Sequence, residues 1–554
     1  MVLARFATFS FKRGNTLDLR ELHLVKVCPL TFEIFIRKTF TNIVKKEQKT
    51  VYIKRKLCYN IPIQYKGECC FMGYIKGEDR YQIILFPECI DEYITEENVI
   101  RVLDAFVNGL DVQALGFQRA IPAGIGRPPF DPRDLLKLYL YGYLNKVRSS
   151  RKLEHETLRN IEVMWLLNKL TIDFKTIADF RKDNKGALKE VFKQFTQLCN
   201  KWGLFGKELV AVDGTKIRAS NSKRNNFSAK KLDRHIKYID EKIEEYMQTL
   251  DSTDKEEEPI DRKILAEEIK KRIEELKNRK VNYEEMKNNI SKTGETEIST
   301  TDKDARLMAV NNNGVDVCYN VQAVTDSKNN LVIDYDVINN PADQGQLSPM
   351  TKKAKEALDV EEIEALADKG FYQADDLKEC EKEHITTYVS KQIFSNSTGE
   401  REYYSDKFKY DKEKDIYICP HDEILYPPKK LMKSKEERER GIKYKNYEAC
   451  KNCPHKSKCT KSEKGREITR SVDQDFLDIV DERTAKNKEK YRQRQMIVEH
   501  PFGTIKRNFG YYYFLTRGLE SVKTEMGLAF LAYNFRRVLN ILGAKEMIKR
   551  LATV

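Results

Sequence analysis

No run of eighteen or more apolar residues occurs anywhere in the chain, and a helix needs about that many to span a hydrocarbon core. The start also lacks a basic region followed by an apolar stretch of signal-peptide length. These two absences predict a cytoplasmic protein with no membrane partner. The twelve cysteines are mostly scattered over 554 residues, which argues for reduced thiols and excludes a disulfide framework. Acidic residues are in deficit, 86 against 100 basic ones, for a net charge of +14. With 34% of residues charged, that excess lies in a dense mixture of both signs and suits a partner with a phosphate backbone. The length is enough for two or three domains and a large core.

One stretch organises the rest. Leu209-Val210-Ala211-Val212-Asp213-Gly214-Thr215 reads as a buried strand that Gly214 ends with a sharp turn, leaving Asp213 to point into a cleft. Alone, an Asp-Gly pair is a turn cap. However, Glu364-Ala365-Leu366-Ala367-Asp368-Lys369-Gly370 repeats the pattern, and Glu499 lies in a helical segment with basic residues one heptad away on each side. Three carboxylates so placed suit convergence on metal ions.

Residues 1–71 hold four cysteines and no sustained period; they read as a small accessory domain or, preferred, as an upstream extension with the true start at Met72. Tyr81 to Pro87 alternates like a strand. From Ile94 to Leu204 the pattern is helical. Val99, Val102, Leu103 and Phe106 mark an apolar face, Asp131-Pro132 caps the helix Leu135 to Leu144, and a third helix spans Lys152 to Leu167. Phe174 to Arg181 forms a short helix that Gly186 separates from Leu188 to Trp202. Tight turns with Arg148, Arg151, Lys152, Arg159, Lys175, Arg181 and Lys182 around them suggest a helix-turn-helix DNA reader; the alternative is a plain bundle with a solvated basic face.

Ile236 to Leu250 and Leu265 to Ile290 repeat apolar residues at three- and four-residue steps around an acidic break at 251–259, which predicts an antiparallel helical hairpin inserted over 228–292. Strands resume at Val315 to Val324 and Leu331 to Ile338 around the turn-rich 326–330. Then come a helix from Leu347 to Leu358, the Asp368 strand, a helix from Asp375 to Glu383 and a strand from Thr386 to Val389. That order is the mixed sheet of the ribonuclease-H type, an α/β (mixed α+β) fold. The polar insertion 391–480 contains Cys419, Cys450, Cys453 and Cys459. The Cys450-x2-Cys453 knuckle with two further thiols predicts a structural zinc site, with His421 or His455 as alternative fourth ligand. From Ala485 the chain is helical and basic, and Arg492, Glu499 and Lys506, seven apart, are expected on one face. Pro501 and Gly503 are expected to kink that helix.

The sequence resembles the DDE transposases of bacterial insertion sequences, in the branch with a helical N-terminal domain. The resemblance covers roughly 73–543. It rests on Gly73-Tyr74-Ile75-Lys76-Gly77, Ile177-Ala178-Asp179-Phe180-Arg181, Val212-Asp213-Gly214-Thr215-Lys216, Asp304-Ala305-Arg306, Tyr319-Asn320-Val321-Gln322, Ala367-Asp368-Lys369-Gly370 with Tyr372, and Val498-Glu499-His500-Pro501-Phe502-Gly503. It implies a helical DNA-binding domain at 72–204, a ribonuclease-H-like catalytic domain at 205–543 and a tail at 544–554. The metal-binding triad falls on Asp213, Asp368 and Glu499, with Mg²⁺ or Mn²⁺ as cofactor. Related branches carry a tyrosine, an arginine and a lysine on the third helix; Tyr491 and Lys506 fit, but the arginine position holds Gln495, so Arg492 or Arg494 takes that role or none does. DNA contacts are expected from Arg492, Lys506, Arg494, Arg507, Arg181 and Lys182. The implied partner is double-stranded DNA, bound by a homo-oligomer, a dimer on paired ends, in the bacterial cytoplasm and nucleoid. The competing functions are a metal-dependent nuclease that does not join strands and a non-catalytic DNA-binding derivative.

Overall fold

The computed structural model describes residues 89–122, 128–253, 261–310, 314–393, 395–428 and 441–553. The expected extension 1–71, the start at Met72, the strand over 81–87 and most of the break at 251–259 lie outside them. From Glu88 onward the chain forms one compact unit. Among the described residues, helices come first: α1 Val99–Asn108, α2 Pro132–Leu144, α3 Ser150–Arg159, α4 Ile161–Leu166, α5 Phe174–Asp183 and α6 Lys185–Lys201. Their starts are written in the sequence. Asn98, Asp131 and Asp173 each accept a hydrogen bond from a backbone N–H of the first turn, and Pro132 follows Asp131 as the first helical residue. Two expected boundaries move. The helix expected over 152–167 is cut at Asn160, which adopts an extended backbone and caps α4 through the N–H groups of Glu162 and Val163. The break before α6 is at Asn184, and Gly186 lies inside the helix.

The middle of the chain runs β1 Leu209–Arg218, β2 Asn226–Ser228, α7 Ala229–Thr253, α8 Asp261–Thr293, β3 Glu297–Ser299, β4 Arg306–Val310, β5 Gly314–Asp326, β6 Val332–Ile338, α9 Leu347–Leu358, β7 Ile363–Ala367, α10 Ala374–Lys382 and β8 Ile385–Val389. The main sheet has the order β4-β5-β1-β7-β8, with β6 also on β5. Long β5 serves β4 along Gly314–Cys318 and β6 along Asn320–Thr325. β1 pairs antiparallel with β5 and parallel with β7, and β8 runs parallel to β7. β1 does not end at Gly214: it stays paired through Arg218, because Gly214 adopts ordinary strand pairing opposite Gln322 and makes no turn. α7 and α8 are antiparallel, with Asp240 paired to Lys280 (2.6 Å) and Asp233 to Lys287 (2.5 Å). They rise from a base made by β2, β3 and the cluster Phe227, Leu232 and Ile290.

Next come β9 Lys409–Asp411, β10 Ile416–Ile418, β11 Ile424–Leu425, β12 Ile442–Lys445, α11 Tyr447–Lys451, α12 Lys456–Cys459 and β13 Glu467–Arg470, which enclose a separate small core of Phe408, Tyr417, Leu425, Tyr444 and Ile468. The chain then returns through α13 Gln474–Lys486, α14 Lys488–Gly503, a π-helical turn Thr504–Asn508, α15 Leu519–Leu542 and α16 Ala544–Leu551. The expected tail is therefore a helix, and Met547 is buried because α16 packs on α1. α15 is apolar on nearly all sides and forms the axis between layers. Gly527 lets it approach β6, since a Cβ there would lie 2.1 Å from the Tyr335 hydroxyl. The Asn534 amide bonds both the N–H (2.9 Å) and the C=O (2.7 Å) of Val332. On its other side Phe535 meets Phe106 of α1 and Phe195 of α6 at 5.9 and 5.7 Å between ring centres. One core thus runs without a break from α1 to α16. Among the described residues no helix is long and apolar enough to cross a membrane.

Candidate active site

β1 and β7 are parallel and in register, Val212 opposite Ala367. The next residue on each strand is Asp213 and Asp368, so the two carboxylates stand side by side at the C-terminal end of β7. Asp368 caps the short turn Lys369–Phe371 by accepting from the Lys369 N–H at 2.6 Å. Asp213 accepts from the Gly214 N–H at 2.9 Å. Burial pushes the Asp213 carboxyl up to about 6; the Arg494 guanidinium opposes this, while the charges of Asp368 and Asp343 add to it. A carboxylate so raised gains from any cation that enters.

The third acid in this neighbourhood, Asp343, was not visible in the sequence. Its carboxylate accepts from Lys216 Nζ (3.1 Å), Asn320 Nδ2 (2.7 Å) and Gln322 Nε2 (2.7 Å). It occupies the gap left by two glycines: a Cβ would lie 2.6 Å from its Oδ1 at Gly214 and 3.4 Å from its Oδ2 at Gly370. The only sequence signal is a carboxylate in the turn-rich 339–345 after β6.

α14 covers the pair. Ile497 and Val498 pack on Leu209, Ala211 and Leu366 of the strands, and the Tyr491 hydroxyl donates to the Ala367 carbonyl at 3.3 Å, one residue before Asp368. Tyr491 also lies under Arg494, 6.0 Å from its ring centre. α14 continues through Pro501 to Gly503. It widens into the π turn, a form that inserts a residue into the helical repeat, so the heptad reading fails. Lys506 turns inward, donates to the Thr215 hydroxyl and lies near Asp213, while burial lowers its ammonium below the ordinary range and Asp213 works against that. Arg492 and Glu499 stay exposed, as does Arg507. Glu499 accepts from Gln495 Nε2 at 2.7 Å. The structure therefore brings Asp213, Asp368, Arg494 and Lys506 together and leaves Glu499 exposed on α14, hydrogen-bonded to Gln495. Among the described residues no three Asp, Glu, His or Cys side chains close to metal-ligand geometry.

Arg181, expected as a DNA contact, is largely withdrawn from solvent. It lies over the Tyr139 ring at 5.6 Å in a tyrosine-lined interior near Glu525. Arg148 is likewise held, 4.0 Å from the Tyr511 ring centre and 3.6 Å from the buried Glu525 carboxylate. Both join the helical layer to the segment after the π turn. Arg151, Lys152, Arg159, Lys175 and Lys182 remain exposed.

Cys419, Cys450, Cys453 and Cys459 line one small cavity of ≈ 40 Å³, with His421 but not His455 at its wall. All four are free thiols. Burial pushes Cys459 up to about 11; Arg466 opposes this and the other three sulfurs reinforce it. His421 is engaged elsewhere: its Nε2 meets the Tyr403 hydroxyl at 2.8 Å and its ring stacks on His455 at 3.8 Å. Thiol sulfurs are donors of the kind Zn²⁺ takes, but among the described residues these four do not close to a geometry that could hold a metal.

Two family models match the chain: Transposase domain (DUF772) over residues 88–183 and Transposase DDE domain over residues 418–539. The first spans α1 to α5, and the second runs from the cysteine-lined cavity into α15, so Glu499 falls inside it while Asp213 and Asp368 do not. No curated protein and no solved structure matches.

Proposed function

The chain belongs to the DDE-type transposases of insertion sequences, and from that premise we propose that it binds the ends of its own element, cuts a DNA strand there and joins the freed end to a target duplex. The observation that carries this reading is the pair Asp213 and Asp368, adjacent across the parallel strands β1 and β7, with Arg494 of α14 and Lys506 of the π turn beside Asp213. The strand order β6-β5-β1-β7-β8 supports a ribonuclease-H-like core.

Carboxylate oxygens are hard donors, so Mg²⁺ or Mn²⁺ would be held by Asp213 and Asp368, with Glu499, exposed on α14, as third ligand. Such ions, when bound, make water a better nucleophile and offset charge on the leaving oxygen. The chain's own residues supply the rest. Lys506, fixed by Thr215, and Arg494, fixed on Tyr491, put positive charge beside Asp213, where the non-bridging phosphate oxygens must lie. In cleavage a water oxygen bonds to phosphorus, the bond to the 3′ oxygen breaks, and that oxygen takes a proton to leave a 3′-hydroxyl. In joining, this hydroxyl gives up its proton and bonds to a target phosphorus as the target's own 3′ oxygen departs. Exposed Lys152, Lys175 and Lys182 of the helical layer, with Arg492 and Arg507, would hold duplex backbone by charge. The thiol cavity would hold one structural Zn²⁺. A dimer on paired ends, in the bacterial cytoplasm, completes the reading.

Purified full chain is given a duplex carrying the inverted repeat that borders the gene, with Mg²⁺ and a target plasmid. Asp213→Asn, Asp368→Asn and Glu499→Gln should each abolish cleavage and leave end binding nearly intact. Loss of binding in step with cleavage for all three would contradict the assignment. Cut ends that never join would leave a nuclease instead.

A further inference from the structure

The π turn has a second side. His500, Thr504 and Asn508, four residues apart, face away from Lys506 and line a cavity of ≈ 590 Å³ whose other walls are the end of α2 and the last part of α15. Neither Asp213 nor Asp368 borders it. Lys146, Arg536 and Arg537 contribute three positive charges, and no carboxylate lines the cavity.

The cations are only partly engaged by the fold. Arg536 Nη2 donates to the Leu144 carbonyl (3.3 Å), but its Nε is buried without a partner. Arg537 Nε donates to the Asn329 carbonyl (2.9 Å), and its Nη1 faces His500 Nε2 at 3.4 Å. That histidine is fixed in one tautomer. The Tyr533 hydroxyl donates to the Asn330 carbonyl (2.6 Å) and so accepts from His500 Nδ1 (2.7 Å), leaving Nε2 as an acceptor toward Arg537. Burial, with Arg537 beside it, holds the imidazole below its ordinary range, in keeping with the neutral ring. Lys146 is exposed, at a left-handed backbone position (φ 65°) just beyond α2. Gathering like charges in one cavity without a counter-charge disfavours the folded state, and an anion removes that cost. The volume lies in the range of about 300–1,000 Å³ typical of sites for organic ligands, more than a lone inorganic anion requires.

We infer that this cavity takes a phosphodiester of a DNA strand, its phosphate between Lys146, Arg536 and Arg537 and its sugar in the remaining space. The inference rests on the transposase reading and adds to it a second grip on DNA, on the opposite side of the π turn from Lys506. A free phosphate compound offers the same chemistry, and the test separates the two.

Full chain and a fluorescent duplex are titrated at several salt concentrations, with inorganic phosphate as a separate calorimetric probe. Lys146→Gln should weaken duplex binding and reduce the slope of log affinity against log salt by roughly one, and Lys146→Gln with Arg536→Gln by roughly two. Lys146→Arg should keep the slope. Arg536→Gln also gives up the contact with Leu144, so if it folds poorly, Lys146→Gln decides alone. Unchanged affinity and slope in Lys146→Gln, with normal wild-type binding, would overturn the inference and leave the transposase reading standing. Wild-type protein that binds no duplex would overturn that reading and the inference with it. Inorganic phosphate bound by wild type and lost in Lys146→Gln, with duplex binding untouched, would assign the cavity to a free anion and overturn the DNA assignment.

Discussion

Gly214 and Asp343 share one space: a Cβ on the glycine would lie 2.6 Å from the Asp343 carboxylate oxygen and 2.4 Å from Gln322 Nε2. The glycine after Asp213 is thus required by a carboxylate arriving from the far side of the sheet. Gly214→Ala should displace Asp343 from Lys216, Asn320 and Gln322. The expected cost is about 1–3 kcal/mol of stability for overpacking, with a fall in cleavage of about 100-fold for a shift of Asp213 near 1 Å. Denaturant unfolding and a strand-cleavage assay measure the two; an alanine variant within twofold of wild type in both would show that the gap closes without consequence.

Asp213 should make the fold less stable as pH rises. Its carboxyl is raised from 3.8 to about 6, so between those values the folded chain holds a proton that the unfolded chain has released, and stability falls across that window. At about 1.36 kcal/mol per pH unit the loss reaches up to about 3 kcal/mol above pH 6. Asp213→Asn, inactive in cleavage, should therefore unfold at higher denaturant than wild type at pH 8, with the advantage gone near pH 4. Added Mg²⁺ should raise the stability of wild type and not of the variant. Equal pH profiles for the two proteins would contradict the burial assigned to this carboxylate.

Lys506 places its charge beside Asp213 through Thr215, so Lys506→Ala should reduce cleavage much more than binding. The salt slope of duplex affinity should fall by roughly one unit. Lys506→Arg should keep the slope but restore only part of the rate, since a planar fork does not set its charge where an ammonium does. Arg492→Ala, at an exposed position, should change binding alone. A Lys506→Ala protein with wild-type rate and slope would remove this lysine from the site.

The thiol cavity predicts about one zinc per chain by metal analysis of protein purified under reducing conditions. Cys450→Ser with Cys453→Ser should lose it and unfold the small core around Tyr417 and Tyr444 first. His421→Ala and His455→Ala should keep the metal. Zinc-free protein from a fully reduced preparation would sink the assignment.

The sheet was legible where the signals are local. Four apolar residues before Asp213, the 326–330 turn and the repeat before Asp368 each encode a strand or its end within a few residues, and the structure has β1, the β5–β6 hairpin and β7 at those places. The four cysteines line one cavity, although among the described residues they do not close to a metal-holding geometry. What the sequence hid was set by distant neighbours. Arg181 reads as a surface cation until Tyr139, Tyr143 and Glu525 close around it. Asp343 acquires its place only when β1 and β5 offer a glycine gap and three donors. The π turn changes which way Lys506 faces, and no heptad count registers a residue inserted into the repeat.

Because Phe535 of α15 completes the packing of Phe106 and Phe195, the helices made first wait for a helix made nearly last. On the ribosome, the early layer has no partner to close against until the sheet and both insertions have been synthesised, a long-range closure of the kind that slows folding. α14 precedes α15, so any copy whose first helices are fully packed already contains Lys506 and Glu499. A copy cut short before Leu519 would carry exposed apolar helices of the kind that aggregate.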